Sequence, residues 1–316
     1  MSAASPFRLA AACLLALAAA CGVPGAAPRA AVPGVDPVNG ELTAVEVDLP
    51  GADLSAVRGP AGAVVVGGAV RGGQLQGGQP AECSLKRLPS GATSATSARC
   101  SGWLGTYAAL ERARSFLLAA GAESLPAAPV LVEPSLDAAE AAGLRYLPQV
   151  DAFALLPGPT GARIPASLNV GAVTREAARR QLRPLFETNR DAAEGIALFF
   201  GAAAAGDPGY LASSEPGGDP LGETDLQRPL PSSAPASAHL ASALWAWAEQ
   251  TGDLASASKV VLAAARALGQ RPGDGGTASS ALLSLVAGQL NGAERDQACA
   301  VFRARLGLSE VPSACP

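Results

Sequence analysis

Residues 164–179 read IPASLNVGAVTREAAR, and the second half of this stretch has the spacing of an amphipathic helix. Within the helix predicted from Gly171 onward, Arg175, Ala178 and Arg179 fall on one stripe. The two arginines lie one helical turn apart, so they share a face beside the apolar seam. Because buried arginine is rare without a partner, the pattern predicts two partly buried guanidinium groups that need an acceptor.

The chain downstream of this stretch is predicted to be almost entirely helical. Apolar residues recur there with helical spacing, and Pro184 and the segments 206–209 and 271–273 mark breaks. The predicted helices cover residues 171–183, 190–205, 238–250, 254–268, 277–290 and 293–306. No repeat of about 34 residues relates these helices, so a helical repeat array is not indicated. Residues 161–316 are therefore predicted to form a helical part.

Upstream of residues 164–179, the segment 41–160 is predicted to combine short strands with one helix. Alternating or continuous apolar residues bounded by glycine or proline predict strands near 42–49, 63–66, 129–132 and 151–156. A wide apolar face predicts the helix at residues 103–120. The two parts together predict an α+β fold, in which a β-rich N-terminal part is followed by a mainly helical body.

The N-terminal segment, residues 1–20, has the features of a secretory signal peptide. Arg8 supplies the positive charge, and an apolar run extends from Leu9 to Ala20. A helix that spans a bilayer needs about 20 apolar residues, so this run is too short to be a permanent anchor. Export of the chain from the cytoplasm is therefore expected.

The end of the apolar run, LAAAC at residues 17–21, resembles a bacterial lipobox. In that motif the cysteine becomes the lipidated first residue of the mature protein, which predicts a lipid on Cys21. The alternative is an ordinary signal peptide with an incidental cysteine. Residues 21–40 are rich in Ala, Pro and Gly and are expected to form a flexible tether. Gly22 resembles the second residue of lipoproteins sent to the outer membrane, so we expect a lipid-anchored envelope protein that faces the periplasm or the cell surface.

Four cysteines follow Cys21 in the chain, and an even number suits disulfide bonds in an oxidising compartment. Of the three possible pairings, the simplest joins sequence neighbours: Cys83 with Cys100, and Cys299 with Cys315. The alternative, a zinc site of four thiolates, lacks the short C-x-x-C spacing typical of such sites.

The charge of the chain argues against a nucleic-acid partner. The formal net charge is −4, and only 16% of the residues are charged. No basic stripe is present that could follow a phosphate backbone. Binding to DNA or RNA is therefore not expected.

Three segments of the helical part resemble motifs of the thermolysin-like zinc metallopeptidases, the gluzincins. The frame of that family's H-E-x-x-H helix reads REAAR at residues 175–179. The segment AEGIAL, residues 193–198, resembles the second motif, with Glu194 at the position of the third zinc ligand. Leu198 stands where the family has an aspartate that orients a ligand histidine. His239, at a later helix start, resembles the family's oxyanion-stabilising histidine.

The resemblance covers residues 151–268 and implies a zincin-like fold with a degenerate site. Zinc binding and catalysis as in that family need two neutral imidazoles one helical turn apart and a glutamate as general base. This chain contains one histidine. Arg175 and Arg179 stay protonated and repel a divalent cation, so neither metal binding nor catalysis is expected. Glu176 is interpreted as a plain helix carboxylate and His239 as a helix-start or packing residue.

The function that follows is that of a catalytically inactive, metallopeptidase-like lipoprotein without a cofactor. It would bind a protein or peptide in the former active-site cleft, or support an assembly in the envelope, with its lipid in the membrane. One alternative is an active hydrolase with a rearranged site at Glu176, Glu194 and His239, in which zinc could return. The other is a structural envelope lipoprotein unrelated to peptidases.

Glu194 shares a stripe with Ala197 and Leu198, so its carboxylate should face inward. An unpaired inward carboxylate costs several kcal/mol, and a cation must therefore lie close to it. Arg175 and Arg179 are the candidates. We expect at least one of them to form a salt bridge with Glu194, taking over the structural role of a metal.

The lipid predicted on Cys21 can be tested directly in cells. Changing Cys21→Ala should abolish acyl labelling of the protein and leave the chain soluble or unprocessed, because the acceptor thiol is gone. Labelling with a radioactive or clickable fatty acid, followed by fractionation of membranes, measures both effects. A variant that is still labelled and still sediments with membranes would refute the lipoprotein prediction.

Overall fold

The computed structural model describes residues 27–35, 41–137, 143–157, 163–212, 225–270, 278–306 and 314–315. The predicted signal peptide and Cys21 lie outside these residues, so their predictions stay open. Within the described part, no helix is both long enough and apolar enough to cross a membrane.

Strands fill the N-terminal half of the chain, as predicted. In chain order they are β1 (Arg29–Val35), β2 (Leu42–Asp48), β3 (Arg58–Gly59), β4 (Gly62–Val66), β5 (Ala69–Arg71), β6 (Gln74–Gln76), β7 (Gln79–Pro80), β8 (Leu85–Arg87), β9 (Thr93–Ala95), β10 (Ala128–Val132), β11 (Ser135–Leu136), β12 (Gly143–Leu147) and β13 (Ala152–Leu156).

Most helices lie in the C-terminal half of the chain. One further helix lies among the strands of the N-terminal half. The helices are α1 (Ala98–Ala119), α2 (Val170–Gln181), α3 (Arg183–Thr188), α4 (Arg190–Ala205), α5 (Ala236–Thr251), α6 (Leu254–Gly269), α7 (Ala278–Gly288) and α8 (Gly292–Leu306). The predicted α+β class with a β-rich N-terminal part is confirmed. Pro184 lies in the first turn of α3, so it begins a new helix where the sequence predicted a break.

The largest sheet has the order β12-β13-β10-β4-β3, with β7 also paired to β4. Its centre is parallel, because β10 pairs in parallel with β4 and with β13. The edge strand β12 runs antiparallel to β13 and packs against α2. β12 was not predicted from the sequence, and it brings the sheet edge directly beside the helix that carries Arg175 and Arg179.

A second sheet, of order β2-β1-β9-β8, corrects one prediction. The segment 21–40 was expected to be a tether throughout, but Arg29–Val35 form strand β1, paired with β2 and β9. Ala30 and Val32 are buried against α1 and its neighbours. Two apolar side chains on one face of a paired strand outweigh the Pro and Gly content that suggested flexibility.

Both predicted disulfide bonds are present. Cys83 pairs with Cys100, and Cys299 pairs with Cys315, with Cα–Cα distances of 5.7 and 5.4 Å. The first ties the start of α1 to the segment before β8, and the second holds the chain end against α8. Disulfide bonds of this kind fit a protein that folds in an oxidising compartment.

Helices α2 and α4 pack very closely, and two glycines permit it. A Cβ atom built on Gly171 would lie 2.9 Å from the carbonyl oxygen of Gly201, and one on Gly201 would lie 2.8 Å from that of Gly171. The ring of Tyr210 fills the space beside both glycines. Asn169 caps α2 by accepting from the N–H groups of Gly171 and Ala172, and its own amide donates to the Tyr210 carbonyl at 2.7 Å.

This close crossing predicts that Gly201→Ala destabilises the protein. The added methyl group would overlap a backbone oxygen that cannot move away by changing rotamer, and overpacking of this kind costs about 1–3 kcal/mol. Gly288→Ala is the matched control, because a Cβ atom there meets open space at a helix end. Urea unfolding of both variants measures the difference. Equal stabilities of the two variants would show that the crossing tolerates wider spacing.

Candidate functional site

The close packing of α2 on α4 places Arg175 and Arg179 opposite Glu194. Arg179 Nε and Nη2 donate to the two oxygens of Glu194 at 2.8 and 2.7 Å, which is a bidentate pair. Arg175 Nε donates to Glu194 Oε1 at 2.9 Å, and its Nη2 contacts the same oxygen. The predicted salt bridge is confirmed, and both arginines take part in it.

Glu176 extends this cluster to the sheet edge. Its side chain is only 3% exposed, and its carboxylate accepts from Arg179 Nη1 at 2.7 Å and from the Tyr146 N–H of β12 at 2.9 Å. Arg145 on the same strand lies within 3.5 Å of it. The interpretation of Glu176 as a plain helix carboxylate was incomplete, because this residue joins α2 to β12. Residues 144–147, Leu-Arg-Tyr-Leu, do not alternate strictly, so strand β12 has little local signature in the sequence.

The charges of the cluster reinforce one another. The side chain of Glu194 is 17% exposed, and burial alone would raise the pKa of its carboxyl group. The charges and hydrogen bonds of Arg175 and Arg179 outweigh that effect and hold the pKa below its ordinary value. Burial likewise acts to lower the pKa of the Arg179 guanidinium, but Glu176 and Glu194 together raise it. Glu194 and Arg179 therefore stay ionised at neutral pH.

A second ion pair lies beside the cluster. Arg180 donates from Nε and Nη2 to Asp151 at 2.8 and 2.7 Å, and the Tyr146 hydroxyl donates to Asp151 at 2.9 Å. The hydrogen bonds from Arg180 lower the pKa of Asp151, with a smaller contribution from the charge of Arg183. Burial, followed by the contact with Asp151, raises the pKa of Tyr146 to about 12. Asp151 and Tyr146 thus fix the start of β13 against α2.

Leu198 and His239, the other residues of the predicted degenerate site, lie outside this hydrogen-bonded network. Leu198, one turn after Glu194 on α4, is buried in the main apolar core. His239 lies in the first turn of α5 and is half-buried, and its backbone N–H donates to Pro235. Trp245 and Trp247 of α5 are core residues.

A pocket of about 350 Å³ opens beside the cluster. Arg179 and Glu194 of the cluster line it, together with Arg183 and Phe186 of α3 and Arg190 of α4. Tyr146 and the exposed Pro148, from the end of β12 and the turn after it, complete the wall. Sequence reasoning did not find Arg183, Phe186 or Arg190, because they lie at helix ends without a periodic pattern.

The residues at this site do not fit a zinc ion. Two guanidinium groups stand at the positions that would need neutral imidazoles, and they already occupy both oxygens of Glu194. Across the described residues, no group of three or more His, Cys, Asp or Glu is arranged to hold a metal. The arrangement instead supports a closed ion cluster next to an open, arginine-lined pocket.

Compared with known proteins, the chain matches no protein-family model and no curated protein.

The confirmed ion cluster predicts the effect of Glu194→Ala on stability. The change would leave Arg175 and Arg179 mostly buried without their common acceptor, which costs about 3 kcal/mol for a buried pair that loses one partner. Urea unfolding measures the free energy. Glu133→Gln is the control, because Arg99 and Glu133 form an ion pair whose side chains are 55% and 67% exposed, and a loss of only about 0–1 kcal/mol is expected there. Equal losses would contradict the structural role of the cluster.

The same carboxylate predicts a dependence of stability on pH. Because the pKa of Glu194 is lower in the folded protein than in the unfolded chain, its contribution is fully present above the unfolded pKa, about 4.3. That contribution is lost as the pH falls through the lowered folded value. Unfolding temperatures measured from pH 7 to about pH 3 should therefore fall more steeply for the wild type than for Glu194→Gln. Parallel curves would mean that Glu194 does not titrate differently on folding.

Proposed function

We propose that this protein is a catalytically inactive, gluzincin-like lipoprotein of the cell envelope that binds a protein or peptide beside its former metal site. The observation that carries the proposal is the pairing of Arg175 and Arg179 with Glu194. These are the residues that the sequence resemblance aligns with the three metal ligands. The resemblance predicts that these three positions meet at one point, and this agreement supports the proposal.

The surroundings of the ion cluster support the binding of a ligand without catalysis. A guanidinium group has no vacant coordination position, so it cannot activate a water molecule as a catalytic zinc ion does. Both oxygens of Glu194 and those of Glu176 accept hydrogen bonds, so neither of these two carboxylates is poised as a general base. The pocket lined by Arg183, Phe186 and Arg190 nevertheless remains open to a ligand.

The proposed location in the envelope is supported by separate features of the chain. The lipobox-like run that ends at Cys21 suits a lipid anchor, and the two disulfide bonds suit an exported protein. Strand β1 begins at Arg29, so the segment left to connect a lipid to the folded body is shorter than the sequence suggested. A short connection would hold the body close to the membrane surface.

The proposal is tested by restoring the missing ligands. The double change Arg175→His and Arg179→His would place two imidazoles one turn apart, opposite Glu194, and is expected to bind about one zinc ion per chain. The wild type is expected to take up no stoichiometric zinc and to cleave no peptide. Equilibrium dialysis against zinc, followed by metal analysis and a peptide-hydrolysis assay, measures these properties.

The matched control is the double change Arg175→Asn and Arg179→Asn, which removes the same charges without supplying imidazoles. Circular dichroism of all three proteins checks that the fold is retained. Zinc uptake by the histidine variant that does not exceed uptake by the asparagine variant would contradict the family relationship and favour an unrelated structural lipoprotein. Stoichiometric zinc or peptide hydrolysis in the wild type would instead favour an active hydrolase with a rearranged site.

A further inference from the structure

The arginine-lined pocket carries more positive charge than its carboxylates balance. Around the cluster and the pocket, the guanidinium groups of Arg175, Arg179, Arg183 and Arg190 face the two carboxylates of Glu176 and Glu194, an excess of two positive charges. The neighbouring pair of Arg180 with Asp151 is neutral and does not change this excess. Glu187 and Asp191, on α3 and α4, do not line the pocket. The excess occurs in a chain whose overall formal charge is −4.

Two of these arginines supply the excess. In the described part of the chain, the guanidinium groups of Arg183 and Arg190 form no ion pair and donate no hydrogen bond, and both side chains are exposed. Arg179, by contrast, already directs three of its N–H groups to Glu176 and Glu194. A guanidinium group can present two parallel donors to a carboxylate, so Arg183 and Arg190 are equipped to hold one.

The pocket also offers apolar surface beside these charges. Phe186, Pro148 and the ring of Tyr146 line it, and its volume of about 350 Å³ is near the lower end of the range for ligand pockets. The site therefore suits a few residues of a peptide better than a long phosphate backbone. Apolar contacts next to paired donors are the features expected for an acidic side chain with an apolar neighbour.

The edge strand β12 limits how such a peptide can bind. An exposed sheet edge can accept an extended peptide through its backbone N–H and C=O groups. The Tyr146 N–H on this edge already donates to Glu176, whose side chain is almost completely buried. Strand addition at this position would require breaking that hydrogen bond, so recognition here must depend on the side chains of the ligand.

We infer that this pocket binds an acidic peptide segment, with Arg183 and Arg190 holding a carboxylate and Phe186 contacting a neighbouring apolar residue. This inference rests on the proposed function as a binding protein and names the chemistry of its ligand. Arg183 and Arg190 lie outside the buried ion cluster, so replacing them leaves the pairing of α2 with α4 intact.

The test uses the purified full-length protein and a fluorescent, end-blocked heptapeptide with two adjacent glutamates beside a phenylalanine. Fluorescence anisotropy should show saturable binding that weakens as ionic strength rises. The same peptide with glutamines in place of the glutamates should bind at least about tenfold more weakly, as expected for the loss of charge-assisted hydrogen bonds. Arg183→Gln combined with Arg190→Gln should cause a similar loss for the glutamate peptide.

The matched control is Arg87→Gln, because Arg87 is an exposed arginine on β8 that does not line the pocket. This variant should bind the glutamate peptide as the wild type does. Equal binding of both peptides, no saturable binding, or full binding by the double variant would overturn the inference. Displacement of the peptide by equimolar inorganic phosphate would also overturn it, in favour of a phosphate ligand.

Failure of this inference can be told apart from failure of the proposed function. In one outcome the wild type binds no peptide and takes up no zinc, whereas the histidine variant takes up zinc. The pocket assignment is then wrong, and the proposed inactive gluzincin-like identity stands. If the wild type binds the glutamate peptide and then hydrolyses it, the pocket assignment stands and the inactivity is wrong.

Discussion

The pairing of two guanidinium groups with Glu194 is the interaction on which the arrangement of the helical body depends. Glu194 on α4 is mostly buried, and it stays ionised because Arg175 and Arg179 of α2 face it. The pair fixes the rotation of both helices, since turning either one would leave a charge without a partner in the interior. The glycine contacts between Gly171 and Gly201 fix how closely the same helices approach. The charged residues therefore set the rotation of α2 and α4, and the two glycines set the distance between these helices.

A buried ion pair is weak evidence for high stability, because removing charged groups from water costs as much as their attraction returns. Its structural value lies in specificity. Glu176 illustrates this, since one carboxylate accepts from Arg179 on its own helix and from the Tyr146 N–H of strand β12. The sheet edge is thereby held in one register relative to α2. A change at Glu176 would disturb two layers of the fold at once, whereas a change at an exposed pair would disturb none.

The parts of this structure that were predictable from sequence are those encoded by local patterns. The helical spacing around Arg175 and the inward stripe of Glu194 were sufficient to predict their salt bridge, and α4 has the predicted bounds of residues 190–205. Strand β12 escaped prediction, because a short edge strand has little alternation to recognise. Strand β1 escaped because Ala, Pro and Gly indicate flexibility until a partner strand is known. Contacts between distant segments, such as Arg180 with Asp151, have no local signature at all.

The proposed relationship to zinc peptidases has a simple electrostatic form. A zinc ion carries two positive charges, and two guanidinium groups carry the same total, so Glu194 would meet an equal charge in either case. The difference lies in chemistry, because the metal has a coordination position for water and lowers the pKa of that water to about 7, whereas guanidinium does neither. Two substitutions on one helix face would therefore remove the reaction while preserving the balance that holds α2 to α4. The arginines also reach farther than imidazoles, which lets Arg179 contact Glu176 and Glu194 together. A site built in this way can lose catalysis without losing its fold, and the pocket beside it remains available for binding.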